Sequence, residues 1–180
     1  MLAGLLSIFL LAAPPGAGDA KPVSTPSPAA AFEKLKSLAG DWDDYSTKGW
    51  AGRVSYALVA RGSVLVATSQ FEKAHPGETM LTVFHLDGDR LLLTHYCVAR
   101  NQPRLEATSI EEGLASITFT FRDATNLPSR DKGHLDKAVF RFEDADHFTS
   151  RWTWYQDGKE SWMEEIRHTR RNPKGGATRR

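Results

Sequence analysis

The sequence predicts an all-β fold: an antiparallel up-and-down β-barrel of about ten strands, opened by one short helix. Three observations carry that prediction. Beyond Trp42 the apolar side chains recur with period two, and turn residues interrupt them about every 8 to 12 residues. The segment Leu38-Ala39-Gly40-Asp41-Trp42 places a glycine and a large aromatic at the mouth of the first strand, directly after a helical stretch.

The helix is read over residues 31–39, where Phe32, Leu35 and Leu38 return every three positions with Glu33, Lys34 and Lys36 between them. One apolar stripe on so short a helix suits a plug for one barrel end. Strands follow over residues 42–47, 53–60, 63–71, 79–86, 90–98, 104–110, 115–121, 135–143, 148–155 and 159–169. Arg61-Gly62, Asp87-Gly88, Asn101-Gln102-Pro103, Glu112-Gly113 and Gln156-Asp157-Gly158 separate them, with Gly, Asn and Asp supplying the positive φ of tight hairpins. A meander this long closes on itself, because closure removes the unpaired edges. The longest connection, residues 122–133, is the candidate lid over a barrel mouth. The two strands around Asp87-Gly88 are apolar on both faces, so the helix or a second copy of the chain, as in a homodimer, should cover the outer one.

The ends read differently. Residues 2–13 form an apolar run that stops at Pro14-Pro15 and reaches the small residues Gly18-Asp19-Ala20, the pattern of a secretory signal peptide over residues 1–20. That run is shorter than the roughly 20 apolar residues a membrane span needs. The expectation is an exported protein, periplasmic or secreted, with no stable membrane insertion after cleavage. Residues 21–31, with three prolines among small side chains, read as a linker; residues 32–169 are the barrel domain and residues 170–180 a basic disordered tail.

Composition narrows the function classes. A single cysteine, Cys97, excludes an internal disulfide, so the apolar core alone must hold the exported chain. With 41% hydrophobic and 10% aromatic residues the core can be large enough. The net charge of +1 hides an asymmetry, since six of the 23 Lys and Arg residues crowd an acid-free stretch from Arg167 to the end. The body is therefore acidic; the basic tail is read as a solvated end rather than as a contact for anionic lipid or nucleic acid, and no nucleic-acid partner is expected.

The helix leading into Gly40-Asp41-Trp42, the antiparallel meander and the leader together resemble the calycin group, which includes lipocalins, fatty-acid-binding proteins and nitrobindin-like haem barrels. The resemblance implies that Trp42 packs at the closed barrel end under an arginine from a late strand, with Arg167 the first candidate and Arg151 the second; Gly40, Trp42 and Arg167 would then be structural. The stretch Leu93-Thr94-His95-Tyr96-Cys97, followed by Asn101-Gln102-Pro103-Arg104, is similar to uncharacterised exported bacterial lipocalin-like proteins. In nitrobindin-like barrels a histidine near the carboxyl end holds the iron, which would make His168 a haem ligand here. The opening departs from that family, with Asp44 and Ser46 where it has glycines.

Placing the turn at Asp87-Gly88 pairs Phe84 with Leu91 and Met80 with His95, and puts Met80, Thr82, Phe84, Leu91, Leu93, His95 and Cys97 on one face. His95, Tyr96, Asn101, Gln102, Arg104 and Glu106 form the candidate polar cluster for a ligand head group, with Phe84, Trp152 and Trp154 as the apolar wall. Catalysis has weaker support. His95 and Cys97 lie two apart on one strand and cannot reach hydrogen-bonding geometry, and no third group orients them. A Gly-x-Ser-x-Gly elbow and His-x-x-x-His spacing are both missing, so no metal site is expected. The sequence therefore predicts a non-catalytic barrel that binds a small apolar or amphipathic molecule without a cofactor. The alternatives are a haem barrel using His168 and an enzyme using His95, Cys97 and Arg104.

Overall fold

The computed structural model describes residues 25–71 and 73–171. One helix, α1 (Pro28–Lys36), leads into ten strands. They are β1 (Gly40–Ser46), β2 (Ala51–Val59), β3 (Val64–Gln70), β4 (Thr79–Asp87), β5 (Arg90–Tyr96), β6 (Gln102–Ile110), β7 (Ser116–Thr125), β8 (His134–Phe142), β9 (His147–Gln156) and β10 (Lys159–Arg170). Each strand pairs antiparallel with the next, and β1 pairs with β10 from Trp42↔Arg170 to Ser46↔Ile166, closing the barrel. No sheet edge is left, so every strand is hydrogen-bonded on both sides. All ten strands fall where the period-two pattern and the turn residues place them.

The helix starts earlier than its apolar stripe suggests, inside the proline-rich segment. Ser27 is the N-cap, its hydroxyl accepting from the Ala30 amide at 3.2 Å, and Pro28 fits the first turn because it has no N–H to leave unpaired. Residues 27–31 thus belong to the folded domain rather than to a linker. At the other end Arg170 closes β10 and the Arg171 amide donates to the Asp41 carbonyl at 2.8 Å, so these two residues belong to the fold and not to a disordered tail. The proposed leader at 1–20, the first linker residues 21–24 and the tail residues 172–180 lie outside the described residues. Among the described residues no helix is long and apolar enough to cross a membrane.

Helix α1 plugs one barrel end. Ala31, Phe32, Leu35 and Leu38 join Trp42, Phe84, Leu91, Leu93, Leu105, Ile117, Phe119 and Phe148 in one buried cluster. Burying each large apolar side chain stabilises the fold by roughly 1.5–3 kcal/mol, so this half of the barrel is the filled, rigid half. The Trp42 indole donates to the Leu38 carbonyl at 2.8 Å, pinning the helix exit to the first strand.

The arginine over Trp42 is Arg170, which corrects the expectation of Arg167 or Arg151. Arg170 lies directly opposite Trp42 in the β1–β10 register, its guanidinium 4.1 Å above the indole. It donates to the carbonyls of Ser37 and Ala39, both at 2.9 Å, and of Ala145 at 3.0 Å, so it caps the end of α1. Arg167 is exposed on the outer face, and Arg151 forms an outer ion pair with Glu165. The reason is parity: Ile166 and His168 point inward, so Arg170 does too, and Arg167 cannot. Gly40 answers to the same contact. Its φ of +125° is a conformation L side chains avoid, and a Cβ there would sit 3.1 Å from Arg170 Nη1.

The β4–β5 hairpin turns one residue later than expected. Asp87 pairs with Arg90, so Gly88 and Asp89 form the turn, Phe84 faces Leu93 and Thr82 faces His95. The slip is two residues in register, an even number, and therefore preserves the predicted face. On the outer side α1 does not serve as the cover, because it seals the barrel end. Leu81 and Tyr96, paired across the strands, stay exposed at 36% and 48%.

Candidate functional site

Away from the plug the barrel is hollow. A cavity of about 470 Å³ opens toward the end formed by the start of β2 and the ends of β3 and β5, with Tyr56, Phe84 and Phe140 as its floor. Trp50, Phe71 and Trp162 rim the mouth, together with Ala74, His75 and residues 97–99 of the loops after β3 and β5. Phe71 reaches this position only because Gly52 lacks a side chain: a Cβ there would come within 2.5 Å of the ring. Phe71 then meets Trp50 edge-on at 4.5 Å. The connection after β7, the expected lid, contributes nothing to the lining. Arg130 anchors it elsewhere, lying over Phe121 at 4.4 Å and Tyr155 at 3.9 Å while pairing with Asp136.

One wall carries a polar row. Asp44 and Ser46 on β1, Glu164 and His168 on β10, and Ser150 and Trp152 on β9 all take inward positions, and β1, β10 and β9 are neighbours in the barrel. His168 Nδ1 donates to Asp44 Oδ1 at 2.6 Å, Ser150 Oγ lies 2.8 Å from His168 Nε2, and the Trp152 indole donates to Ser150 Oγ at 2.9 Å. Phe148 stacks flat on the imidazole at 4.0 Å. The row holds Asp44 rigidly, yet its second oxygen, Oδ2, is buried without a hydrogen-bond partner. Burial is the largest influence on this carboxyl and pushes it above the usual carboxylate range, against the lowering effect of His168. The neighbouring Tyr56 phenol is pushed above its ordinary range too, first by burial and then by the Asp44 charge.

Opposite, His95 bonds Thr82 Oγ1 through Nδ1 at 2.9 Å and lies 5.6 Å from the Trp152 ring. Burial pulls it down to about 4, so it stays neutral at neutral pH. Cys97 is half-buried at the rim, its thiol raised by burial, and among the described residues no hydrogen bond joins it to His95. No Lys or Arg is among the described residues that line the cavity.

The sequence-predicted set divides by strand face. Phe84, His95, Trp152 and Trp154 line the cavity, and Trp154 stacks on Trp162 at 5.7 Å near the mouth. Tyr96, Arg104 and Glu106 do not join them. Tyr96 points out, Arg104 pairs with Asp123, and Glu106 pairs with Arg122, all on the outer surface. Asn101 is buried but donates to the Gly133 carbonyl at 2.8 Å, and Gln102 bonds Thr125 and Asn126. The predicted His95, Cys97 and Arg104 cluster is therefore not assembled, because Arg104 sits on the opposite face of the sheet. Asp44, Ser150 and Tyr56 are the residues sequence reasoning missed. The signal was present in part, since Ser150 falls on the apolar parity of its strand, between Phe148 and Trp152.

The arrangement limits the chemistry. Carboxylate, imidazole and hydroxyl stand in the order of an acyl-transfer relay, but Ser150 is mid-strand, paired with Phe140 on one side and Ile166 on the other. Its surrounding backbone amides are used in the ladder, so no pair of N–H groups is free to hold an oxyanion. Among the described residues no three His, Cys, Asp or Glu side chains gather around a metal site. A haem does not fit the donor set either: both His168 nitrogens are bonded, Phe148 covers its face, and among the described residues no Lys or Arg lines the cavity to face a propionate.

Fold and cavity define the class: a closed, ten-stranded antiparallel barrel, plugged at one end and hollow at the other. Among solved structures the chain is similar to Rv2717c from M. tuberculosis, with a TM-score of 0.56 and 15% identity over 79% of this chain and 98% of that one. It is also similar to a protein of unknown function from the DUF3598 family (Npun_R4044) of Nostoc punctiforme PCC 73102, with a TM-score of 0.50 and 12% identity over 76% of this chain. The chain spans about half of the Nostoc protein, 48% of its length. At these identities the likeness is one of fold. No family model matches the sequence, and no curated protein matches it.

Proposed function

We propose that this protein is a non-catalytic binder that takes one small, largely apolar or amphipathic molecule into its barrel. The observation that carries the reading is the half-hollow interior: about 470 Å³ of space with an aromatic wall and one rigid polar row. Ligand sites are typically clefts of ~300–1,000 Å³, mostly apolar with a few fixed polar groups, and this cavity meets both conditions. A packed core has no use for such a space, because empty volume costs dispersion contacts.

Titration with the neutral fluorophore N-phenyl-1-naphthylamine tests the proposal. The expected result is saturable uptake with one site per chain, lost in Ala67→Trp. Ala67 is 2% exposed and lies on the cavity wall between Tyr56 and Thr82, so an indole there fills the space. Unchanged uptake by a folded Ala67→Trp, or none by the wild type, overturns the reading.

A further inference from the structure

Taking the barrel as a binder of small molecules, we propose that its guest is a lipophilic amine, bound with its ammonium group on Asp44 and its apolar body against the aromatic wall. The first observation is the unpaired oxygen. The Asp44 side chain is 1% exposed, lines the cavity, and is fixed through Oδ1 by His168, while Oδ2 has no partner. A buried carboxylate oxygen without a donor is costly, and a ligand N–H placed there removes the cost. Only a donor satisfies it; an ether, a ketone or a carboxylate does not.

Charge decides which kind of donor. Asp44 and Glu164 face the cavity from adjacent strands, and no Lys or Arg is among the described lining residues. An anionic guest, such as a fatty acid, would bring a further negative charge into a poorly solvated space with no counter-ion. An ammonium supplies the missing positive charge, and a charge-assisted hydrogen bond to a carboxylate is roughly twice as strong as a neutral one. The wall chemistry agrees. Tyr56, Trp50, Trp152 and Trp162 line the same space, and aromatic faces attract cations where they shed water.

The test uses one skeleton with three head groups: 1-naphthylmethylamine, 1-naphthalenemethanol and 1-naphthoate, each competing with N-phenyl-1-naphthylamine at pH 7.5. The amine is expected to bind at least tenfold more tightly than the alcohol, and the acid at least tenfold more weakly than the alcohol. In Asp44→Asn the amide can still accept from His168 through Oδ1 but presents N–H in place of Oδ2, so the amine's advantage over the alcohol should vanish while the alcohol changes less than threefold. An acid that binds as well as the amine, an alcohol that equals it, or a preference that survives Asp44→Asn overturns the proposal. The head-group series on the wild type decides the matter even if Asp44→Asn does not fold. Uptake of the fluorophore without displacement by the amine overturns the amine proposal and leaves the cavity reading standing; no uptake of the fluorophore overturns both.

Discussion

Replacing Arg170 with methionine should destabilise the barrel by about 3 kcal/mol, a large share of what a domain of this size has to spare. The guanidinium makes three hydrogen bonds to backbone carbonyls, of Ser37, Ala39 and Ala145, at 2.9–3.0 Å, and stacks on Trp42 at 4.1 Å. Its side chain is 25% exposed, so water can reach the freed carbonyls and each bond counts for about 1 kcal/mol, below the range for fully buried charged donors. The stack adds about 0.5–1 kcal/mol, and the methionine stem keeps part of the apolar contact. A loss of about 3 kcal/mol corresponds to a fall in melting midpoint of about 6–12 °C for a domain of this length. Guanidinium denaturation followed by tryptophan fluorescence measures it. Arg167→Met is the paired control: Arg167 is exposed on the outer face, and its loss should stay within about 0.5 kcal/mol of wild type. The reasoning is refuted if the two variants lose equal stability, or if Arg170→Met loses less than about 1 kcal/mol.

Three further predictions follow from single contacts. His95 titrates at about 4 in the folded protein against 6.5 when exposed, so the native state resists its protonation. Stability is complete above about pH 6.5, declines as the pH falls through the interval, and by about pH 4 has lost roughly 3 kcal/mol on account of His95. Denaturation at pH 7 and pH 4.5 should show a much smaller drop for His95→Gln than for wild type; equal drops contradict this origin. Ser27→Ala removes the N-cap of α1 and should cost about 1 kcal/mol by the same assay, whereas Ser63→Ala, an exposed turn serine, should cost less. Cys97, raised by burial and placed at the rim, should react slowly with Ellman's reagent at pH 7 and more slowly still with N-phenyl-1-naphthylamine bound; a rate unchanged by the fluorophore places it outside the occupied space.

The strands were legible because a barrel wall has one wet and one dry face, and that difference is written into alternate positions as in Phe148, Ser150, Trp152 and Trp154. Turn positions were legible to within one residue. At Asp87-Gly88-Asp89 two adjacent pairs of turn formers compete, and the Asp87–Arg90 ion pair across the first rung goes with the later one. The site was harder to see, because it depends on closure. Asp44 and His168 are 124 residues apart, and nothing local to either announces the other until β1 meets β10. Arg170 was hidden for the same reason, lying at the very end of the closing strand. Tyr96, Arg104 and Glu106 show the opposite failure. Nearness to His95 in sequence suggested a cluster, while alternation sends Tyr96 outward, and Arg104 and Glu106 flank the inward Leu105.

Diffraction from crystals grown with N-phenyl-1-naphthylamine tests the central claim, an interior that is half core and half vessel, most directly. The expected result is density for one guest inside the barrel, in contact with Trp152 and Phe84 and above the floor formed by Tyr56 and Phe140. Side chains collapsed into that space, or a guest seated only on the outer surface, would contradict it.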